Sequence, residues 1–281
     1  MVMDIVSLGS CNMDFILKVP NFVEPDGEMY VEDILTIPGG SALNFAVNIS
    51  GHGLRSGFIS RIGDDRWGTI IKKELVQRGV DVSGLITLPK PTGMAFISVD
   101  HSGKRSIYSF SGVNEQLALT KEDINYIKSS NMLHLAGTYW EVAREAAKHA
   151  EIISFDPGSL LSVYGLDKLK PVLKKTDLLF LSEKEVEIFT SLNLKEGANL
   201  LIDEGASNVI ITLGEKGALL YNADGVLKAP TKKIKAVDTT GAGDAFAAAF
   251  VSKWLSQESL EDSLKFANQC AALQISQLGG I

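Results

Sequence analysis

Short runs of β-branched and apolar residues alternate with amphipathic stretches along most of this chain. The runs are apolar on both faces, as strands are when helices cover both sides of a parallel sheet. In the intervening stretches apolar residues recur at spacings of three and four, which is typical of helices. The alternation therefore predicts an α/β fold with a doubly wound, mostly parallel sheet and helices on both faces. The predicted strands include residues 5–8, 57–60, 131–135, 152–155, 178–181 and 209–212, and the predicted helices include residues 42–50, 67–77, 140–149 and 183–191.

Two segments break the alternation, and each has the pattern of an antiparallel hairpin. In residues 12–37 a Pro25-Asp26-Gly27 turn separates two strand-like halves, and in residues 92–112 the turn is His101-Ser102-Gly103. We expect both to form one small sheet, a lid over a site at the carboxyl ends of the core strands. Two surface hairpins without functional motion are the alternative. Because no repeat, low-complexity tract or long linker interrupts residues 1–281, one domain is predicted.

Charge argues against a nucleic-acid partner. The 281 residues include 27 Lys and Arg against 34 Asp and Glu, a net charge of −7, which is the wrong sign for holding a polyanion nonspecifically. Lys232, Lys233 and Lys235 cluster locally, and we interpret them as a solvated face. The hydrophobic content of 45% is ample for a packed interior.

The composition indicates a cytoplasmic protein. Cys11 and Cys270 are too few for a disulfide framework, and the first residues lead into a strand rather than a basic signal peptide. No apolar run approaches the roughly 20 residues that span a bilayer, so no membrane association is expected. The four histidines have no metal-ligand spacing and are interpreted as core or surface residues: His52, His101, His134 and His149.

Residues 238–246, Asp-Thr-Thr-Gly-Ala-Gly-Asp-Ala-Phe, combine two acids with a bare backbone. The Gly241-Ala242-Gly243 step leads into an Ala-rich segment that should be a helix, so free N–H groups and the helix dipole would attract an anion. Helix capping alone would also favour Asp244. The stretch is neither a dinucleotide fingerprint nor a Walker-type phosphate loop.

Taken together, these nine residues resemble the C-terminal signature of the pfkB carbohydrate kinase family, the ribokinase-like kinases. Other stretches are similar to family motifs in the same order along almost the whole chain. They are Asn12-Met13-Asp14 after the first strand, the run from Pro38 through Gly39, Gly40 and Asn44 to Ala46, the run from Arg61 to Asp65 with Trp67-Gly68, and residues 209–221.

The resemblance implies an ATP-dependent carbohydrate kinase that transfers a phosphoryl group to a hydroxymethyl group of a sugar. Phosphoryl transfer needs positioning, charge neutralisation and a base for the hydroxyl proton. Asp244 would be the base, and the N–H groups of Gly241, Ala242 and Gly243 would form an anion hole. The residues expected to hold the acceptor are Asn12, Asp14, Gly39, Gly40 and Asn44.

The same resemblance implies ATP and Mg²⁺ as cofactors. Thr212, Gly214, Gly217 and Thr239 would bind the nucleotide, and Glu185 would influence Mg²⁺ through water. A monovalent cation near Asp238 and Thr240 is a further expectation. A solvated helix glutamate is the alternative interpretation of Glu185.

Three departures leave the acceptor open. Ser182 stands where the family usually has Asn, and Ser41 stands where ribokinases proper often have Lys. The chain also stops at Ile281, so part of the nucleotide wall and the cation site is expected to be incomplete. Residues 154–158 resemble a stretch of archaeal nucleoside and sugar kinases. A nucleoside kinase and an idle metabolite-binding protein remain alternatives.

The sequence names neither the acceptor nor the oligomeric state. Strand-rich lids such as residues 12–37 pair edges between subunits in other proteins, so a homodimer through the lid is an expectation.

Overall fold

A computed structural model describes residues 2–231, 234 and 238–276 of the protein. The lysine cluster Lys232, Lys233 and Lys235 lies outside the described residues, as do residues 277–281, on which the expectation of an incomplete nucleotide wall rests.

The larger of two sheets has nine strands among the described residues, in the order β13-β12-β11-β10-β9-β8-β1-β4-β5. The strands from β11 to β5 are parallel, whereas β12 and β13 are antiparallel additions at one edge. Strand β4, which follows β1 in the core sheet, lies on one side of β1, and the later strand β8 lies on its other side. The topological switch point therefore lies between β1 and β8, where open α/β sheets bind ligands. The strands are β1 Ile5–Leu8, β4 Ser56–Gly63, β5 Asp81–Leu88, β8 Leu133–Ala136, β9 Ile153–Asp156, β10 Leu178–Ser182, β11 Asn208–Thr212, β12 Ala218–Asn222 and β13 Gly225–Ala229.

Helices cover both faces of this sheet because successive residues of each strand point to opposite sides. In β10, for example, Leu179 packs into one hydrophobic cluster and Phe180 into another. Helices α3 to α8 pack on the face of the sheet that carries Leu179. Helices α1, α2, α9 and α10 pack on the face that carries Phe180. The helices are α1 Ser41–Gly51, α2 Arg66–Gln77, α3 Lys121–Lys128, α4 Trp140–Ala146, α5 Gly158–Ser162, α6 Gly165–Leu173, α7 Glu183–Thr190, α8 Leu194–Asp203, α9 Ala242–Leu255 and α10 Leu260–Gln274, with 3-10 helices at Gly112–Gln116 and Gly214–Lys216.

The smaller sheet is the predicted lid. Its four strands lie in the order β3-β2-β6-β7, so both hairpins belong to one sheet and are joined by the parallel pair β2 and β6. The strands are β2 Asn12–Lys18, β3 Asp33–Gly39, β6 Gly93–Val99 and β7 Arg105–Phe110.

The lid is anchored to the core through Asp65. This carboxylate caps α2 by accepting from the N–H groups of Trp67 and Gly68, and it also accepts from the N–H and hydroxyl of Thr92, directly before β6. One side chain of the family-like motif thus fixes a helix start and the entry to a lid strand.

The fold class and the six predicted strands are confirmed, with strand ends shifted by at most three residues, the largest shift being the end of β4 at Gly63. Three details differ. The connection between β2 and β3 is a loop over residues 19–32 rather than a tight turn at Pro25-Asp26-Gly27, helix α4 ends at Ala146 instead of 149, and strands β5 and β13 were not predicted.

Candidate active site

The turn before α9 is open on the side where an anion would approach. Gly241 is the N-cap of this helix and has φ 72°, a left-handed conformation that glycine adopts without strain. Space around Gly243 is free, since a Cβ placed there would have no neighbour within 4 Å. The N–H of Ala242 makes only a long 3.4 Å contact to the carbonyl of Thr239. These bare N–H groups and the positive helix end are suited to a phosphate.

Asp244 is a buried carboxylate in the first turn of α9. Its Oδ2 accepts a 2.7 Å hydrogen bond from Asn44 Nδ2, which places helices α1 and α9 on either side of the same group. Burial raises the pKa of Asp244 to about 6, while hydrogen bonds from Asn44 and Ser41 act in the opposite direction and the charge of Glu185 raises it further. A carboxylate with this pKa is a competent proton acceptor near neutral pH.

Asp14 lies opposite Asp244 on lid strand β2. Burial, followed by the nearby charge of Asp244, raises the pKa of Asp14 to about 7. Its Oδ1 is buried and has no partner among the described residues. A Cβ at Gly39 would clash with this carboxylate, so the glycine is what lets β3 run beside it. An unpartnered buried oxygen at a cleft is a group that a ligand hydroxyl would satisfy.

The remaining predicted acceptor residues surround this pair. Gly40, with φ 111°, turns the chain from β3 into α1, and a Cβ there would press on the carbonyl of Ser10. Asn44 Oδ1 is buried and has no partner among the described residues, whereas its Nδ2 donates to Asp244. The Oδ1 of Asn12 accepts a 2.9 Å bond from Asn114 Nδ2.

Asn114 was not predicted. Besides Asn12, it bonds both the N–H and the carbonyl of Cys11, and so holds the start of β2 in place. Nothing in its local sequence distinguishes it, because its partners Asn12 and Cys11 lie 102 and 103 residues away.

A cavity of about 410 Å³ lies beside the turn. All four residues predicted for the nucleotide line it, together with Ala242 and Gly243 of the anion hole. Part of its remaining wall is mostly apolar and comes from α9 and α10, and the sequence did not indicate this part. The lining residues are Thr212, Gly214, Glu215, Gly217, Thr231, Ile234, Thr239, Ala242, Gly243, Phe246, Asn268, Ala271, Ala272 and Ile275.

Glu185 is held by the start of α7. Its Oε2 accepts from the N–H and hydroxyl of Ser182, both at 2.8 Å, while the Ser182 hydroxyl also accepts from the N–H of Glu185. The serine that replaces the family's asparagine therefore forms a capping box. The hydroxyl of Ser159 donates to Oε1 at 3.1 Å.

Asp156 is a second acid here that was not assigned a role. It ends β9, its Oδ1 accepts from the N–H of Gly158 at 3.0 Å, and burial with the charges of Glu185 and Asp244 raises its pKa well above the ordinary value. The signal was present, because an acid at the carboxyl end of a parallel strand faces the site edge.

No three acidic, histidine or cysteine side chains among the described residues form a group that could hold a metal. His134 has the expected core environment, stacked at 3.5 Å on Phe45 with its Nδ1 2.8 Å from Ser154 Oγ. Burial lowers the pKa of His134 to about 3, so it is neutral. The carboxylate of Asp238 accepts from the N–H and hydroxyl of Thr240, and the monovalent cation there stays a prediction.

Comparisons with known proteins agree with this geometry. The profile of the pfkB family carbohydrate kinases matches residues 2–281. The chain belongs to this family. The expected enzyme class, a carbohydrate kinase, is confirmed at this level, as is the ribokinase-like fold. None of the helices in the described part of the chain has the length and apolarity to cross a membrane.

Three relatives illustrate the similarity. An ATP-dependent ribose-1-phosphate kinase of Halopiger xanaduensis is 32% identical over 280 residues, which is 98% of this chain and 93% of that protein. A nucleoside kinase of Methanothermobacter thermautotrophicus is 29% identical over 98% of this chain and 90% of its own. The crystal structure of ribokinase from Thermotoga maritima superposes with a TM-score of 0.88 at 31% identity, covering 99% of this chain and 94% of that one.

Proposed function

We propose that this pfkB-family chain transfers the γ-phosphoryl group of ATP to a hydroxymethyl group of a ribose-like sugar. The observation that carries the proposal is the buried Asp244 carboxylate, which lies directly after the open N–H groups of Gly241 to Gly243 and opposite Asp14. A base, an anion hole and an acceptor-binding carboxylate thus meet at one place.

In this mechanism the acceptor hydroxyl binds between Asp14 and Asp244. Asp244 takes its proton as the new oxygen–phosphorus bond forms, and the bond from phosphorus to the ADP oxygen breaks. The N–H groups of Gly241, Ala242 and Gly243 stabilise the charge on the transferred group. Asn44 keeps Asp244 oriented, because its amide donates to one carboxylate oxygen and leaves the other for the proton.

The nucleotide is assigned to the 410 Å³ cavity beside the turn, with its adenine between the apolar residues of α9 and α10. Mg²⁺ would neutralise the charge of the phosphates and would enter the site bound to the nucleotide, since this ion keeps several waters and uses few protein ligands. Glu185 fits a water-mediated role, because the bonds from Ser182 and Ser159 hold it in place. A monovalent cation near Asp238 and Thr240 belongs to the same proposal.

The names of the relatives support ATP as donor and a ribose-type acceptor, with or without a 1-phosphate. A nucleoside is the second candidate, favoured by the 29% identity to a nucleoside kinase. A binding protein without activity is disfavoured by the intact Asp244 and its open anion hole.

The deciding experiment incubates the purified chain with Mg-ATP and, separately, ribose, ribose 1-phosphate, fructose, 2-keto-3-deoxygluconate and nucleosides. Products are identified by ³¹P NMR and mass spectrometry. We expect phosphorylation of a ribose-type sugar, and loss of product in Asp244→Asn by roughly 10² to 10⁴ in rate. Turnover of nucleosides alone would move the assignment to the second candidate. No turnover of any acceptor, or an Asp244→Asn variant within a few-fold of wild type, contradicts the proposed function.

A further inference from the structure

Arg105 is a residue of the lid whose guanidinium contacts the turn that precedes α9. It is the first residue of β7, at the tip of the hairpin that β7 forms with β6. Its Nη1 donates a 3.2 Å hydrogen bond to Thr240 Oγ1, 135 residues away in sequence. Thr240 is followed directly by Gly241, so the cation stands one residue from the open N–H groups. Neither the motifs nor the mechanism above gives this arginine a role.

The hydrogen bonds around Thr240 show that this contact leaves most of the guanidinium unused. The Thr240 hydroxyl donates its proton to Asp238 Oδ1 at 2.7 Å, and its N–H donates to the same oxygen at 2.9 Å. The hydroxyl therefore acts as an acceptor toward Arg105. A guanidinium has five N–H donors, and the other four contact no acceptor among the residues that the structure describes. Arg105 is also exposed, so a ligand can reach these donors.

The charge of the site creates a need for such a group. Asp14, Asp156, Glu185 and Asp244 place four carboxyl groups near the place where a triphosphate would bind. The end of α9 offers only about half a positive charge. A guanidinium binds phosphate through a rigid fork of donors, and arginines serve this purpose in other phosphoryl-transfer enzymes.

Building on the proposed function, we propose that Arg105 is a catalytic residue whose guanidinium binds the phosphoryl group during its transfer. Thr240 holds the side chain beside the anion hole, and its spare donors complete the shell that Gly241 to Gly243 begin. Because Arg105 belongs to the lid, this charge is in place only when the lid is closed. Transfer is thereby coupled to closure, which excludes water as a competing acceptor.

Nucleotide binding tests the contact without an acceptor. Dissociation constants for Mg-ADP and for the Mg complex of an imido-bridged ATP analogue are measured by calorimetry on wild type, Arg105→Ala, Arg105→Lys and Lys104→Ala. We expect Arg105→Ala to weaken the triphosphate by about tenfold, a typical effect of losing charge-assisted hydrogen bonds, and to leave ADP unchanged. Lys104→Ala is the matched control, because it removes a cation from the same hairpin tip and should change neither constant.

Kinetics with the acceptor found in the screen add a second readout. Arg105→Ala should lower kcat by roughly 10², the effect of removing one donor from an oxyanion hole. Arg105→Lys should recover part of it, since lysine restores the charge without the fork. Thermal melts confirm that each variant is folded.

Three results overturn the role of Arg105. Equal weakening of ADP and the triphosphate, or no weakening of either, means that Arg105 serves lid structure alone. A variant in which only the KM for a phosphorylated acceptor is raised means that Arg105 binds the acceptor's own phosphate. Failure of the proposed function looks different, because wild type would then phosphorylate no ribose-type sugar in the screen, whereas the dissociation constants of Arg105→Ala test the arginine separately. A wild type that binds neither nucleotide would overturn both proposals.

Discussion

Asp14 and Asp244 are two carboxyl groups that share one buried cleft, and burial raises the pKa of each. This arrangement is unfavourable for the folded protein and useful for proton transfer, since a carboxylate in water is too weak a base near neutral pH. The cost of burying the two acids is therefore tied to the proposed chemistry, and pH should reveal it in both activity and stability.

For activity, Asp244 must be ionised to accept a proton, and its pKa is about 6. We expect kcat/KM to rise with pH, by roughly tenfold per unit below that value, and to level off above it. Ser41→Ala removes a hydrogen bond that lowers this pKa, so the rising part of the variant's kcat/KM profile should move to higher pH. Initial rates from pH 4.5 to 8.5 measure both profiles. A wild-type rise near pH 4, or an unmoved rise in Ser41→Ala, would count against Asp244 as the titrating base.

For stability, the pH dependence that Asp14 contributes to the free energy of unfolding has the opposite sign from that of an ordinary paired carboxylate. Its folded pKa of about 7 lies above the ordinary aspartate pKa of 3.8, so the folded state binds the proton more tightly. The free energy of unfolding is then highest below pH 4 and falls as pH rises to 7, by at most about 1.4 kcal/mol per unit.

Asp14→Asn removes this dependence. We expect it to be more stable than wild type in urea titrations at pH 8, with the advantage disappearing as pH falls toward 4. Asp26→Asn, at an exposed acid of the loop between β2 and β3, is the control and should leave the wild-type dependence unchanged. A parallel pH dependence in Asp14→Asn and wild type would show that Asp14 does not carry a buried charge.

Site residues were predictable where the signal is contiguous. Asp244 and the glycines before it stand in one stretch, and Asp14 follows the first strand, so their neighbours in sequence are their neighbours in the site. Arg105 and Asn114 carry no such signal, because each reaches its partner across more than 100 residues. Their roles depend on how the lid lies on the core.

At the level of elements, periodicity predicted the buried strands well because helices cover both their faces. It failed between β2 and β3, where Pro25-Asp26-Gly27 marks a change of direction but not where pairing stops. The pairing of the two strands ends at Lys18 and Asp33, and the residues between them form the loop. Strand β5 was not predicted because Asp81, Ser83 and Gly84 interrupt its apolar pattern.

The start of α7 offers a test at this scale. Ser182→Ala removes the capping box, and the loss of such a cap costs about 1 kcal/mol. Because Ser182 also orients Glu185, the variant should need more Mg²⁺ for half-maximal activity. Ser259→Ala removes the cap of α10 away from the site, so it should lose similar stability without changing the Mg²⁺ requirement. Thermal melts and Mg²⁺ titrations compare the two, and equal Mg²⁺ dependence in both would argue against a metal-related role of Glu185.

At the level of the whole molecule, the alternation of elements predicted a parallel sheet but not its order. Strand β8 lies beside β1 although strands β2 to β7 and several helices separate them in sequence, and this pairing places the switch point between the two strands. Residues Ser10 and Gly137, which follow these two strands, are joined by a 2.9 Å hydrogen bond at that point.

The outer face of the lid supports the expectation of a homodimer. Asp14 marks the face turned to the site, which also carries the buried Ile16 and Ile97, and alternation along the strands places Phe96 and Tyr108 on the other face. Phe96 is paired with Tyr108 across β6 and β7 and is stacked on Phe15 at 5.1 Å. Four of the apolar residues on this face are exposed to between 41% and 73%: Ile34, Phe96, Tyr108 and Phe110.

Contiguous exposed apolar surface of this kind marks an interaction site, and a second lid offers the same apolar strands. We predict that wild type is a dimer at micromolar concentration and that Tyr108→Glu is a folded monomer, because a charge would be buried without a partner. Val226→Glu, at an exposed apolar residue of edge strand β13, is the matched control and should stay dimeric. Sedimentation equilibrium measures the masses. A monomeric wild type, or loss of the dimer in Val226→Glu instead of Tyr108→Glu, would place any self-association elsewhere than the lid.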